Sequence, residues 1–452
     1  MTTVILKPKK EESLRRFHPW VFSGAIARVL LDASHKGDAP VEGELVCVRS
    51  SANEILGIGH WQVGSIAVRI LAFGVEQLPS DFWCERIRAA YKVREAIGLI
   101  RPDNNTFRLI HGEGDFLPGL IVDVYADTAV VQAHSIGMHE SRNEIANALK
   151  SEIPQVQNVY YKSDDTLPFK ASIEGDKTGW LITNHQSPIT NHQSPVTNHQ
   201  SPITNHQSPI THSDEFWSVE NGLEFRIDWL RGQKTGFFVD QRENRALVER
   251  YASGKDVLNM FCYTGGFSLY ALRGGAKTVD SVDVSQKAID LVNINVARNF
   301  PNDPRHHAYA ADAFDFLSEK ITNHPERLPD GTGRAASAEK GYHNSPITNY
   351  DLIILDPPAF AKHRDAVKNA LRGYQRINAK AIEKIRPGGI LFTFSCSQAV
   401  DKEAFRLAVF SAAAQVGRKV RILHQLHQPQ DHPINIYHPE GEYLKGLVLY
   451  VE

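Results

Sequence analysis

Short apolar runs bounded by turn residues recur through the first 74 positions, at 45–48, 55–59 and 65–71, and this spacing predicts the strands of a small β barrel or sandwich. Residues 81–99 then carry helical spacing, while 119–125 and 128–132 flank Ala126-Asp127 as the two arms of a hairpin. Residues 75–225 therefore read as an α+β unit. From about 226 onward strands and helices alternate. Strands are expected at 256–261, 279–283, near 307–310, at 351–355, and from a turn at Pro387-Gly388-Gly389 to near Cys396; helices are expected at 266–273, 285–298 and 366–385. That order predicts an α/β fold with a doubly wound, mainly parallel sheet over 226–452, preceded by a small β-rich domain (1–74) and a middle domain (75–225).

Two stretches interrupt the pattern. Residues 182–209 repeat a seven-residue unit four times, beginning Ile182-Thr183-Asn184-His185-Gln186-Ser187-Pro188, with a partial fifth copy to His212. A period of seven invites a coiled coil, but a proline in every unit removes a backbone donor and clashes with the preceding turn, so disorder is expected at 182–212. His185, His192, His199 and His206 hint at metal binding by composition alone, without a packed scaffold to fix ligands. Fragments of the same unit at 321–325 and 344–349 mark a loop insertion over 321–350; surface loops tolerate added length at small entropic cost.

Composition narrows the class of protein. The 452 residues are 42% apolar and 23% charged with a formal net charge of −2, which argues against a chain that coats nucleic acid indiscriminately; any polyanion must be gripped by local patches. Such patches are Lys7, Lys9, Lys10, Arg15 and Arg16 near the start, and Arg231, Lys234, Arg242 and Arg245 before the first catalytic strand. Cys47, Cys84, Cys262 and Cys396 lie far apart with no zinc-ligand spacing, so no metal is expected and a reducing, cytoplasmic setting is. No apolar run reaches a membrane span or the form of a signal peptide.

The candidate chemistry sits at strand ends. Cys396, in Phe394-Ser395-Cys396-Ser397, follows an apolar strand and lies about forty residues after Asp356-Pro357-Pro358-Ala359-Phe360. Ligands of open α/β sheets bind at the carboxyl ends of the strands, so this pairing sets a thiol beside a carboxylate and a proline-walled slot for a planar base. Carbon 5 of a pyrimidine is too electron-poor to attack a methyl donor. Addition of a thiolate to carbon 6 makes carbon 5 nucleophilic. The competing reading of Cys396 is a small buried residue. Upstream, Phe261-Cys262-Tyr263-Thr264-Gly265-Gly266 joins the first strand to its helix, and Asp283 ends the next strand at a distance suited to a carboxylate that accepts ribose hydroxyls. The turn lacks the full Gly-x-Gly-x-x-Gly of nicotinamide sites, which favours an adenosyl ligand without phosphates, S-adenosylmethionine. Asp312, after the third strand, is placed either to accept from the adenine amino group or to cap a helix.

These motifs, with Lys234-Thr235-Gly236-Phe237-Phe238-Val239-Asp240-Gln241-Arg242, Arg372-Gly373-Tyr374, Asp431-His432-Pro433 and Glu442-Tyr443-Leu444-Lys445-Gly446, resemble those of bacterial class I S-adenosylmethionine-dependent 23S rRNA cytosine-C5 methyltransferases with an N-terminal PUA domain. His18-Pro19-Trp20-Val21-Phe22 and 65–71 are similar to that family's PUA domain. The resemblance implies a Rossmann-like class I methyltransferase domain, S-adenosylmethionine as donor, 23S rRNA as substrate in naked or early-assembly form, and a homodimer. It also implies Cys396 as nucleophile with Asp356 holding the base, a cofactor site of Gln241, Phe261, Tyr263, Thr264, Gly265, Gly266, Asp283, Asp312 and Asp356, and substrate contacts from Lys234, Arg242, Pro357, Pro358 and Phe360, with Phe360 or Phe237 as a stacking platform for an extruded base. Many RNA cytosine-C5 enzymes carry a second cysteine after the proline of this turn, where the present chain has Pro358-Ala359. Two alternatives stand beside this reading: methylation of a base nitrogen, which needs no cysteine, and a non-catalytic RNA-binding assembly factor.

Overall fold

Strand–helix alternation after residue 240 builds a seven-stranded sheet in the computed structural model, which describes residues 1–33, 37–168, 177–183, 215–318, 350–361 and 363–452. Its strands are β1 (Asp256–Met260), β2 (Thr278–Asp283), β3 (His306–Ala310), β4 (Tyr350–Leu355), β5 (Ile385–Ser395), β6 (Val420–His427) and β7 (Lys445–Val451). They lie in the order β3-β2-β1-β4-β5-β7-β6, with β7 antiparallel to both neighbours and the other pairs parallel. The order reverses between β1 and β4, so the crevice for ligands opens beyond their carboxyl ends. Central strands buried on both faces explain the continuous apolar runs of β4 and the second half of β5.

Helices α1 (Arg242–Tyr251), α2 (Gly266–Arg273), α3 (Gln286–Asn299), α4 (Ala313–Ser318), α5 (Val367–Lys384) and α6 (Lys402–Val416) connect these strands. In α5 the buried positions Ala370, Tyr374, Ile377 and Ala381 recur every three or four residues and form the stripe that faces the core. Asp401 caps α6 by accepting from the Ala404 N–H at 2.7 Å, and Gly417, at φ 75°, ends it. The turn expected at 387–389 is instead an irregularity inside β5. The strand starts at Ile385, its register against β4 slips between Tyr350 and Leu352, and Gly388 takes φ 84°.

The chain divides into two compact units, one of Met1–Val239 with Gln430–Gly441, the other of Asp240–Pro429 with Glu442–Glu452. The first holds a six-stranded sheet whose middle strands are Ile55–Trp61 and Leu45–Arg49, and a five-stranded sheet containing the antiparallel pair Leu120–Tyr125 and Thr128–Ala133. Ile58 and Leu71 of the first sheet share one core with Phe107, Val122 and Val131 of the second and with Phe82 and Ile87 of the helix Phe82–Ala96. Residues 1–74 and 75–225 are thus joined by common apolar burial. The chain from the hairpin Trp217–Glu220/Leu223–Arg226 to Val239 stays with them, because Trp229 stacks on Phe216 at 4.0 Å and the Thr235 hydroxyl donates to Asp123 at 2.6 Å.

Segment 430–441, though it connects β6 to β7, belongs to this first unit. Buried Arg94 donates to the Asp115 carboxylate at 2.9 Å and to the carbonyl of Asp431 at 2.6 Å, and the Asp431 carboxylate accepts from the main-chain N–H of Arg108 at 2.9 Å. Gly114 is required beside it, since a Cβ there would stand 2.0 Å from the Pro433 carbonyl oxygen. The heptad copies with their histidine tract and the 321–350 insertion lie, apart from Ile182, Thr183 and Tyr350, outside the described residues. No helix among the described residues is long and apolar enough to cross a membrane.

Candidate active site

Parallel pairing of β4 with β5 sets Leu355 opposite Thr393, so the two chains leave the sheet side by side. Asp356 is the first residue after β4 and Cys396 the first after β5. Three contacts join the turns that carry them. The Ser397 hydroxyl donates to the carbonyl of Ala361, the Ser395 hydroxyl donates to the Tyr374 oxygen at 2.9 Å, and the Tyr374 ring lies 4.7 Å from that of Phe360. The Cys396 thiol is half-buried and free of any disulfide. Cys262, in the glycine turn, is buried, and its thiol is pushed well above the ordinary range by that burial and by Asp283. Of these two cysteines, Cys396 is the one presented at the rim.

Lys445 stands opposite Ser395 in the β5–β7 register, and its ammonium donates to the carbonyls of Ser397 at 2.6 Å and Tyr443 at 2.7 Å. Burial holds its pKa down to about 8, against the opposing pull of Cys396. A cation is thereby seated on the turn that carries the thiol.

Asp356 is braced from the start of α1. Gln241 donates its amide N–H to Asp356 Oδ1 at 3.0 Å, and Asn244 donates to Gln241 Oε1 at 2.7 Å, which fixes the amide's orientation. Desolvation pushes the Asp356 carboxyl up to about 7, helped by the charge of Asp240; the Gln241 bond and Arg245 pull the other way. Asp240 itself accepts from the Tyr443 hydroxyl at 2.7 Å through Oδ2, while its buried Oδ1 has no hydrogen-bond partner among the described residues.

The turn after β1 is tightly wound, with Phe261 at φ 59°, Tyr263 at φ 46° and Gly265 at φ 81°. Left-handed non-glycine residues are strained and concentrate at functional sites. Asp283, at the end of β2, ties the turn down by accepting from the N–H of Tyr263 at 3.0 Å and of Ser285 at 2.9 Å, and it remains half-exposed. The Thr264 carbonyl accepts from Asn295 at 2.9 Å. A side chain at Gly265 would meet Val292 at 3.0 Å, and one at Gly266 would meet Arg245 at 2.9 Å. Asp312 is exposed and caps α4, its Oδ1 accepting from the N–H of Phe314 at 2.8 Å and of Asp315 at 3.1 Å.

Three sequence expectations are corrected here. Arg242 and Arg245 are 1% and 2% exposed, so neither offers its charge to RNA phosphates at the surface. Phe237 is buried in the first unit against Phe225, with ring centroids 4.9 Å apart, and cannot stack on an extruded base. Lys234 lies in the first unit, exposed and at φ 54°; Pro358 is exposed, Phe360 half-buried and Pro357 buried. The bracing residues Asn244, Tyr374 and Lys445 and the carboxylate of Asp240 were not assigned roles from sequence. Only the Gln241–Asn244 spacing, one turn of helix, offered a signal for the first of them.

Residues 207–306 match the family described as S-adenosylmethionine-dependent methyltransferase, and residues 4–73 match the PUA-like domain. Ribosomal RNA large subunit methyltransferase I of Shewanella denitrificans is 36% identical over 449 residues, covering 98% of each chain, and that of Tolumonas auensis is 37% identical over 451 residues, covering 99% of each. The chain belongs to the ribosomal RNA large subunit methyltransferase I family. Among solved structures, a protein described as a SAM-dependent methyltransferase from Streptococcus mutans superposes with a TM-score of 0.73 at 19% identity, and a methyltransferase complexed with SAH with 0.74 at 20%; each covers 100% of both chains and shares the fold. The enzyme's methyl donor is S-adenosylmethionine. Its residues fit that donor: half-exposed Asp283 retains lone pairs for ribose hydroxyls, the side-chain-free turn at Gly265 and Gly266 admits close approach, and the buried Oδ1 of Asp240 has no hydrogen-bond partner among the described residues.

Proposed function

We propose that this enzyme forms 5-methylcytosine in 23S rRNA through a covalent bond between Cys396 and carbon 6 of the base. The observation that carries the reading is the half-buried thiol one residue beyond β5, tied through Ser397 to the loop that begins at Asp356. The relatives' names, which specify large-subunit ribosomal RNA, support the substrate, and the PUA-like match at 4–73 supports RNA binding by the N-terminal segment. Bound S-adenosylmethionine supplies a methyl group from its sulfonium.

Cys396 adds to carbon 6 as the thiolate, with the Lys445 ammonium on its turn favouring the charged form. Asp356, with a carboxyl titrating near about 7, donates its proton to N3 as electron density moves from the sulfur into the ring, which keeps the adduct neutral. Carbon 5 then accepts the methyl group. Loss of the carbon-5 proton to water, return of the N3 proton to the Asp356 carboxylate and cleavage of the carbon–sulfur bond restore the aromatic ring, the carboxyl and the thiolate. The base must be single-stranded or extruded to reach this corner, where half-buried Phe360 offers a face for stacking.

Nucleoside mass spectrometry of 23S rRNA incubated with the full-length enzyme and labelled S-adenosylmethionine tests the product. Label in 5-methylcytosine is expected; label in an N-methylated base would refute the adduct chemistry. Cys396→Ala should abolish transfer while donor affinity, read by calorimetry, stays within about twofold of wild type, because no donor-fitting residue is altered.

A further inference from the structure

Two histidines and a glutamate converge in the first unit, outside the methyl-transfer corner. His18 follows the short helix Glu12–Arg15, whereas His438 and Glu440 belong to segment 430–441. Nε2 of His18 lies 4.0 Å and Nε2 of His438 lies 3.8 Å from the Glu440 carboxylate, and one donor atom from each residue falls within 4.8 Å of the other two. An ordinary ion pair with Glu440 would account for one imidazole. It leaves the other without a role.

His438 is 2% exposed, and neither of its ring nitrogens has a hydrogen-bond partner among the described residues. Buried polar atoms in native proteins are satisfied by a neighbour, an ordered water or an ion, so this ring lacks a ligand on the side where the other two donors converge. Its orientation is set by the Trp20 ring at 4.2 Å, and Trp20 is anchored in turn by donation from its indole N–H to Glu113 at 2.9 Å. His18 is oriented as well. Its Nδ1 accepts from the main-chain N–H of Trp20 at 3.2 Å, and its Nε2 faces the Glu440 carboxylate.

We propose that His18, His438 and Glu440 bind a divalent transition-metal ion, Zn2+ by the donor set of two imidazoles and one carboxylate, with water completing the tetrahedron. Calcium and magnesium require all-oxygen surroundings and do not suit it. Bonds of about 2.0–2.1 Å place tetrahedral donors about 3.3 Å apart. The present separations are therefore slightly open, and Glu440, 55% exposed on the turn Pro439–Gly441, has room to close them. The ion would staple segment 430–441 to the N-terminal sheet. The ligands come from opposite ends of the chain, so no spacing rule applied to the sequence reveals them.

Zn2+ titrated by calorimetry into the chelator-stripped full-length chain tests the proposal against His438→Ala and Glu440→Gln. The histidines of 182–212 offer competing sites, so the difference between chains is the readout. Wild type should bind one equivalent more than H438A. Loss of a ligand in E440Q should weaken that equivalent at least tenfold. Saturating Zn2+ should raise the unfolding midpoint of wild type and not that of H438A. Identical stoichiometry and affinity in all three chains would overturn the site. If H438A does not fold, E440Q decides, since its substitution is at an exposed side chain: unchanged affinity refutes the proposal and a tenfold loss upholds it.

Discussion

A carboxyl that titrates near about 7 is half protonated at neutral pH, which suits Asp356 to donate to a ring nitrogen and works against the stability of the fold. Unfolded, the group loses its proton near about 4, so between pH 4 and 7 the folded state holds a proton that the unfolded chain has released. Stability therefore falls as pH rises through that window, by up to roughly 4 kcal/mol above pH 7. Asp356→Asn keeps an oxygen for the Gln241 amide and removes the partly desolvated charge. Urea unfolding should show it more stable than wild type at pH 8, with the difference vanishing near pH 4, while methyl transfer falls by about 10²–10⁴. Lys445→Met should slow alkylation of Cys396 by iodoacetamide at pH 7.5, read by peptide mass spectrometry, because the thiolate loses its nearby cation; an unchanged rate would remove Lys445 from the mechanism. Cys396 and Asp356 were legible as residues because each directly follows an apolar strand. Arg242, Arg245 and Phe237 were misread because their burial is decided by packing that composition does not record.

Among elements, β4 and the second half of β5 were legible because central strands covered on both faces leave continuous apolar runs. β6 was not. It is an edge strand with mostly exposed or half-exposed residues, and His424, Gln425 and His427 break any apolar period. The conformation of the turn after β1 makes a sharp demand on Gly265. Gly265→Ala must hold φ near 81° and set a methyl 3.0 Å from Val292, so calorimetry should show weaker S-adenosylmethionine binding with little change in fold. Elsewhere, Asp115→Ala leaves the Arg94 guanidinium buried beside only carbonyl partners. Loss of one member of a buried pair costs about 3–5 kcal/mol, and urea unfolding of the variant should show a loss of that size.

For the whole molecule, a net charge of −2 leaves RNA affinity to local charge. Lys9, Lys10 and Arg16 are exposed on the PUA-like segment, Arg16 in a 4.0 Å surface pair with Glu12; Arg15 is paired with Glu54 and Lys7 donates to the carbonyl of Gly24. If those three cations meet phosphates of single-stranded RNA, replacing each with glutamine should lower the slope of log affinity against log salt by about 0.7, measured by fluorescence anisotropy; an unchanged slope would exclude the contact. The sharing of one core between segments was the least legible feature at this scale. Turn spacing separated 1–74 from 75–225, yet Ile58 and Leu71 lie in the same core as Phe107 and Val131, and pattern along a chain does not disclose which apolar faces will be shared. Segment 430–441 carries this furthest. During synthesis Arg94 emerges long before Asp431 and waits for its carbonyl until β6 has left the ribosome, so a unit made mostly of earlier residues is completed among the last.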